Sequence, residues 1–374
     1  MNINIISIGS LIIIYGILAV FSVSIYESFD ITSALWEPSN YFYFLRQIIN
    51  IWLGIVVWYI VYKSNINLIR KLRRPIIVII LILQLSLFTP RWQEYNWAKL
   101  WLDLPFFRTL QPWEFFKLWF VLLISDRLVR KQKILNTIPW LFGYLMVSWV
   151  CYTIFLFLKD SWTVLVLALT SFLLYRYNGG RKRNVITMSV LWLVWAIVVA
   201  MNASYIKQRV LVFIDPSNDT SAQIWRQTSQ ALIAIWWGWF LGRWYGKWLQ
   251  KFGYLPEAQS DYIFAAYAEE VWFLWMLLLI SFYAILAWYF LYNLKYIKDP
   301  YLRSVWVGIM WLIIIQATIN MAVNLNLMPT TWLTLPFVSF GGTAMIVNIV
   351  ELVILHKIIS PSKWEKIKKI HYIK

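Results

Sequence analysis

The residues best suited to chemistry lie in two places. The first is Gln250 to Phe273, QKFGYLPEAQSDYIFAAYAEEVWF, where Asp261, Glu269 and Glu270 sit between an irregular loop with Gly253 and Pro256 and a long apolar run. A short polar residue before such a run caps a helix, so Ser260 or Asp261 is expected to take up a free N–H of the first turn, with the helix starting at Asp261. Acidic residues there complement the helix dipole. Carboxylates are nevertheless scarce: Asp and Glu together number 17 in 374 residues, and few others stand at a water–lipid boundary. Asp261 is thus read both as a dipole partner and as a functional carboxylate. The second place is Glu114 and Lys117, whose i,i+3 spacing makes them neighbours on one helix face. An ionised group in hydrocarbon costs about 2.5–3.5 kcal/mol, so the pair must face protein or water. It either lines a functional cavity or is a structural ion pair that fixes a bundle. Glu351 is a further intramembrane carboxylate with no role assigned.

The elements that must position these residues are membrane helices. Hydrophobic residues make up 61% of the chain and charged residues 14%, against roughly 45–50% and about 25% in a soluble domain. Apolar runs fall at 4–22, 42–62, 75–89, 112–125, 137–158, 161–175, 184–202, 266–293, 303–323 and 338–358. They predict an all-α, polytopic integral membrane protein with about ten transmembrane helices. The run at 4–22 has no basic residue before it and reads as an uncleaved first span. Basic residues gather in alternate loops: Arg70 to Arg74, Arg127 to Lys133, Arg176 to Arg183, Lys295 to Arg303, and the tail. That alternation places these loops and both termini in the cytoplasm. The net charge of +17 is therefore mostly topogenic, and nucleic-acid binding is not expected. The chain reads as one membrane domain, 1–374, with a large extracytoplasmic loop at 203–265 between helices seven and eight and a basic cytoplasmic tail at 359–374. That loop is rich in aromatics and reads as amphipathic segments along the outer surface. The lone Cys151 excludes an intramolecular disulfide and a Cys-based metal cluster. With only His356 and His371, both near the C-terminal end, a His-rich metal site and a Ser-His-Asp triad in the external loops are excluded too.

Three stretches carry a resemblance. KFGYLPEAQSDYIFAAYAEE resembles the signature LP-x-A-x-(T/S)-D-(F/Y)-I-F-A, followed by a Glu pair, of the SEDS family of bacterial cell-wall polymerases (FtsW, RodA and SpoVE). Met328 to Thr343, MPTTWLTLPFVSFGGT, is similar to the family's L-P-T-x-G-L-x-L-P-F-(I/V)-S-(Y/F)-G-G-(S/T). Leu110 to Lys117, LQPWEFFK, is similar to F-Q-P-S-E-x-x-K. Asn96, Lys99, Trp101 and Leu102 resemble a fourth, weaker pattern in the external loop before span four. The stretches stand in family order, and the resemblance covers nearly the whole chain. It looks closer to the division and sporulation members than to the elongation member.

The resemblance implies glycosyl transfer on lipid II at the outer face of the bacterial cytoplasmic membrane. A sugar hydroxyl of the acceptor attacks the anomeric carbon of the donor, and undecaprenyl pyrophosphate leaves. A base must take the hydroxyl proton, and cationic groups must meet the leaving pyrophosphate. Asp261 matches the family's presumed catalytic position and is the expected base. Glu114 and Lys117 match residues of the central cavity. Arg243, Lys247 and Lys251 are candidates for phosphate contact, and Lys99 for a phosphate or sugar, beside a simple snorkelling role. Ser339, with Gly341 and Gly342, is read as letting span ten approach its neighbours. A divalent cation, Mg or Mn, is compatible with the pyrophosphate leaving group, but the sequence shows no site for one. The family's partner is a class B penicillin-binding protein, a single-span transpeptidase. The competing readings are a lipid II flippase or transporter, and a non-catalytic scaffold of the division machinery.

Tryptophan is over-represented where the family has glycine. Trp number 26 and Gly 13. Trp97, Trp162, Trp236, Trp239, Trp244, Trp272 and Trp332 stand at family glycine positions, where an indole is expected to clash or to demand rebuilt backbone. Our hypothesis is that a reassigned UGA codon, translated conceptually as Trp, leaves these positions Gly in the native protein. Peptide mass spectrometry that finds Trp masses at Trp236, Trp239 and Trp332 would end that idea.

Overall fold

The structure of the chain, a computed structural model, describes residues 4–33, 38–88, 92–95, 98–102, 110–158, 160–215, 222–238, 255–271 and 273–371. In chain order the helices are α1 (Ile5–Val23), α2 (Ile25–Ser33), α3 (Phe42–Lys63), α4 (Ile66–Leu85), α5 (Pro112–Arg130), α6 (Ile138–Phe157), α7 (Ser161–Tyr177), α8 (Lys182–Asn202), α9 (Ser204–Ile214), α10 (Ala222–Gly238), α11 (Ile263–Glu270), α12 (Phe273–Asn293), α13 (Pro300–Asn324) and α14 (Gly342–His371). Nine of the ten predicted apolar runs each overlap one α-helix, and the run at 266–293 covers the end of α11 and all of α12. Among the described residues, six segments are long and apolar enough to cross a membrane: Ile5–Val23, Phe42–Lys63, Lys182–Val199, Leu274–Tyr296, Pro300–Asn324 and Gly342–Ile359. The protein is therefore a multi-pass helical membrane protein.

Burial separates central helices from peripheral ones. Two-thirds or more of the apolar windows of α13 and α14 are buried, 67% and 72%, against 11% for α3 and α8. Trp52 and Ile60 of α3 and Leu193 of α8 are exposed, as lipid-facing side chains should be. α5 belongs to the centre, with Phe116, Phe120 and Val121 buried. Lys357 of α14 donates to the carbonyls of Val61 and Tyr62 at 2.9 and 3.0 Å. It thereby closes the free carbonyl end of α3, as a cation at a helix C-terminus does.

Three local expectations are corrected. The first concerns span three, which begins earlier than its apolar run because α4 includes Arg70, Lys71, Arg73 and Arg74 and carries Pro75 inside it. Those residues hid its first turns from a hydropathy reading. Second, α11 starts at Ile263, not Asp261, and its N-cap, Tyr262, makes no side-chain capping bond. It stops at Glu270, so the run at 266–293 is not one helix. Third, Trp92–Tyr95 (β1) and Ala98–Leu102 (β2) pair antiparallel, with Trp92 opposite Leu102, so the fold is helical with one small hairpin. The described tryptophans at family glycine positions have varied surroundings. Trp236 is 69% exposed, Trp332 lies under a guanidinium, and Trp162 packs against the core. Trp97, Trp239, Trp244 and Trp272 lie outside the described residues.

Candidate active site

Two non-helical stretches, 255–262 and 325–341, meet at one end of the bundle, with Leu255, Ala258, Gln259, Tyr262, Leu333, Leu335 and Phe337 to Ser339 buried. Buried peptide groups outside helices need partners, above all in a membrane protein. Side chains from the surrounding helices supply them. Asn320 and Asn324, one turn apart on α13, each donate Nδ2 to the Asp261 carbonyl at 2.9 Å. The Asn320 amide also donates to the Leu333 carbonyl at 2.7 Å, and Asn324 Oδ1 accepts from the Ala265 N–H at 3.0 Å. Ser339 Oγ donates to the Ser260 carbonyl at 2.6 Å and accepts from the Leu335 N–H at 2.8 Å. The Phe340 N–H donates to the Gln259 carbonyl at 2.8 Å. The two family-like stretches are thus stitched into one unit.

The turn that presents Asp261 is built on Glu257. Its φ of 56° lies in the left-handed region, which is uncommon for a residue with a side chain. That turn lets the Glu257 carbonyl accept from the N–H groups of Ser260, Asp261 and Tyr262 at 3.1, 3.2 and 3.4 Å. These contacts explain why no helix cap is needed at Ser260 or Asp261. Ser260 Oγ instead bonds Glu257 Oε2 at 2.9 Å. Phe337, in the second stretch, is also left-handed, with φ 68°. Its carbonyl lies so close to Gly16 of α1 that a Cβ there would sit 2.7 Å from it. Strain of this kind persists where surrounding structure over-determines it.

Asp261 is half-buried as a residue, and its carboxyl makes no hydrogen bond or ion pair among the described residues. Burial pushes its pKa well above the ordinary carboxylate range, the Glu257 charge pushes the same way, and Arg209 opposes both. Glu27, on α2 beyond the first span, is pushed up to about 7 by burial, with Glu257 and Asp30 adding to it. Arg209 is held on α9, its Nη1 donating to the Thr330 carbonyl at 3.1 Å and its guanidinium 4.9 Å from the Trp332 ring centroid.

Deeper in the bundle, Lys117 Nζ lies 2.9 Å from Glu114 Oε2 and donates to Gln316 Oε1 at 2.7 Å. It also stands 4.4 Å from the Trp113 ring centroid. Gln316 Nε2 donates to the Thr334 carbonyl at 2.9 Å. Glu114 and Lys117 are both almost fully buried. Asp160 caps α7 through the Thr163 N–H at 3.1 Å, and it interacts electrostatically with both Lys117 and Arg209. Glu114 Oε1 and Asp160 Oδ2 are buried acceptors with no donor among the described residues. Glu351, buried on α14, acts on the same ion pair.

Of the predicted site residues, Glu114 and Lys117 come together as a pair. Asp261 does not touch them; α13 connects the two groups, through Gln316 on one side and Asn320 and Asn324 on the other. Ser339 has its hydroxyl occupied by backbone and holds the Asp261 turn. Lys99 falls on β2, and its side chain lies outside the described residues, as do Arg243, Lys247 and Lys251 entirely. Sequence reasoning gave no site role to Arg209, Asp160, Glu257, Gln316, Asn320 or Asn324. One signal was available: Gln316, Asn320 and Asn324 form a stripe of amides four residues apart in an apolar helix. Among the described residues no group of three His, Cys, Asp or Glu side chains can hold a metal.

These features define a class: a polytopic helical membrane protein with a strained, clamped carboxylate turn at one end of its bundle and a buried ion pair beneath it. The profile of the FtsW, RodA and SpoVE proteins, described as "Cell cycle protein", matches residues 2–363, and the chain belongs to that family. The probable peptidoglycan glycosyltransferase FtsW of Halothiobacillus neapolitanus is 30% identical over 347 residues, covering 88% of this chain and 81% of that protein. Among solved structures, a chain of a peptidoglycan synthase complex that coordinates polymerization and crosslinking superposes with TM-score 0.75 at 20% identity, over 94% of this chain and 96% of its own. The rod shape determining protein RodA of Thermus thermophilus superposes with TM-score 0.68 at 18% identity, over 94% and 95%. These two likenesses establish the fold.

Proposed function

We propose that this chain is a peptidoglycan glycosyltransferase that polymerises lipid II, with Asp261 as general base. The observation that carries this reading is the state of Asp261. Its backbone is held by two amides, yet among the described residues its carboxyl has no hydrogen bond, and its pKa is raised. A base must be positioned, free to accept a proton, and near the working pH. The acceptor hydroxyl gives its proton to the Asp261 carboxylate as its oxygen bonds the donor's anomeric carbon. The bond from that carbon to the pyrophosphate breaks, and undecaprenyl pyrophosphate departs. Arg209 is a cation within electrostatic reach of Asp261 and suits the phosphates. Glu114 Oε1 and Asp160 Oδ2 accept hydrogen bonds only, which suits sugar hydroxyls and amides rather than phosphate.

The protein acts as one domain in the cytoplasmic membrane, with both termini inside, residues 203–265 outside and 359–374 as a basic cytoplasmic tail. A class B penicillin-binding protein is its transpeptidase partner. The test is lipid II polymerisation by the purified protein with that partner. Glycan chains from the native protein that vanish with Asp261→Asn support the assignment. No chains from a folded, partner-bound native protein would leave the flippase or scaffold reading in its place.

A further inference from the structure

Gln316 lies in the apolar stretch of α13 and is almost fully buried. A buried amide costs free energy unless both of its ends are bonded. Here each end is bonded, and to a different part of the molecule. Oε1 accepts from Lys117 Nζ at 2.7 Å, and Nε2 donates to the Thr334 carbonyl at 2.9 Å. Chemistry fixes this orientation, because an ammonium only donates and a carbonyl only accepts. Lys117 is itself confined, between Glu114 Oε2, the Gln316 amide and the Trp113 ring. A displacement of the ammonium therefore displaces the amide.

Beyond Thr334 the connection continues to the Asp261 turn on both sides. The following residue, Leu335, gives its N–H to Ser339 Oγ at 2.8 Å, and that hydroxyl donates to the Ser260 carbonyl at 2.6 Å. The preceding residue, Leu333, has its carbonyl held by the Asn320 amide, which also holds the Asp261 carbonyl. Three successive residues are thus pinned, Thr334 to the ion pair and its two neighbours to the turn. A methionine would fill the space of Gln316 with no polar ends to satisfy. What the amide adds is the connection.

We infer that Gln316 is a positioning residue that couples the buried Glu114–Lys117 pair to the turn carrying Asp261. It acts through the 333–339 segment and not on a reacting atom. The catalytic half of this inference rests on Asp261 being the base; the mechanical half does not.

The test uses the full-length protein in nanodiscs, with hydrogen exchange read by mass spectrometry and lipid II polymerisation measured beside it. Gln316→Met should speed exchange in peptides spanning 255–262 about tenfold, the effect of weakening a hydrogen-bonded turn by one bond. The protected N–H groups there, of Ser260, Asp261 and Tyr262, bond Glu257 and not Gln316. Replacing the ion pair as a unit, Glu114→Gln with Lys117→Met, should loosen the same peptides in the native background and add nothing in the Gln316→Met background. Asn178→Ala removes a buried amide that bonds Ser304, at the other end of α13, and should leave them unchanged. With the transpeptidase partner, Gln316→Met should lower kcat about tenfold at unchanged KM. Faster exchange confined to 328–340 would overturn the inference, since the coupling would then stop at Thr334. So would loosening by the paired substitution that persists in the Gln316→Met background, or an equal effect of Asn178→Ala. A raised KM at unchanged kcat would make Gln316 a binding residue instead. If exchange behaves as expected but the native protein makes no glycan, the glycosyltransferase reading falls and the coupling stands. An unfolding temperature of Gln316→Met close to native excludes misfolding as the cause.

Discussion

Asp126 and Asp261 stand at opposite ends of the same bundle and are treated in opposite ways. Asp126 is buried and saturated: Arg73 Nη2 reaches Oδ2 at 2.7 Å, and Arg130 Nε reaches Oδ1 at 2.9 Å. It ties α4 to α5. The side chain of Asp261 receives no bond from the described residues, while its backbone is held by Asn320, Asn324 and the turn of Glu257. A carboxylate whose oxygens are spoken for can fix helices but cannot take a proton. One whose backbone is fixed and whose oxygens are open can do the reverse. The division of labour between the two ends is thus written in where the hydrogen bonds go, not in residue type.

The sharpest way to break this comparison is to neutralise each aspartate in turn. Asp261→Asn should lower lipid II polymerisation by about 10²–10⁴-fold, the range of a lost general base, with little change in unfolding temperature. Asp126→Asn should destabilise the protein by about 3–5 kcal/mol, because it strands a buried guanidinium. Polymerisation per folded molecule should stay near native. Activity assays paired with thermal unfolding decide the matter. A stability loss with Asp261→Asn as large as that with Asp126→Asn would erase the distinction.

A second test moves from the carboxyl to its mounting. Asn324→Ala removes one of two amides on the Asp261 carbonyl and frees the Ala265 N–H. Unsatisfied buried groups cost about 1–3 kcal/mol each, and a displacement of about 1 Å at a catalytic group can cost about 10²-fold in rate. We expect a fall in kcat without a matching change in KM, and a smaller loss than Asp261→Asn gives. Asn324→Asp tests geometry against charge: its carboxylate cannot donate to the Asp261 carbonyl, so it should not rescue. Rescue would show that the amide's donated hydrogen bond is not what holds the turn.

How far the sequence reached follows from the same contrast. Apolar periodicity located the six segments long and apolar enough to cross a membrane, because hydrocarbon burial is a property of each segment alone. It failed at α4, where Pro75 and four cations lie inside a helix stabilised by its neighbours. Local capping rules misplaced the start of α11, because the donors they satisfy are taken up by a left-handed Glu257 that no composition rule foresees. Asp261, Glu114 and Lys117 were legible from motif and spacing. Arg209 was not, since its place beside Asp261 depends on how α9 folds back to the Thr330 carbonyl. The amide stripe on α13 was legible in principle, because three such residues in an apolar helix must meet something polar.

The smallest expected effect concerns the charge around Asp261, and its direction is fixed by the groups that face it. Glu257 raises the Asp261 pKa and Arg209 lowers it. A general base works only when deprotonated, so activity should rise with pH through a midpoint above the ordinary carboxylate range. Glu257→Gln removes the like charge while keeping an oxygen for Ser260. It should lower the Asp261 pKa and move the acid limb of the pH–rate profile to lower pH. Arg209→Gln removes the opposing charge and should move that limb to higher pH. If Arg209 also meets the pyrophosphate, its variant should lower the plateau as well, which Glu257→Gln should not. Limbs that move together, or not at all, would mean that the titrating group is not Asp261. Glu27, pushed up to about 7, is the neighbouring candidate, and Glu27→Gln would then abolish the limb that Asp261→Asn leaves behind in any residual activity.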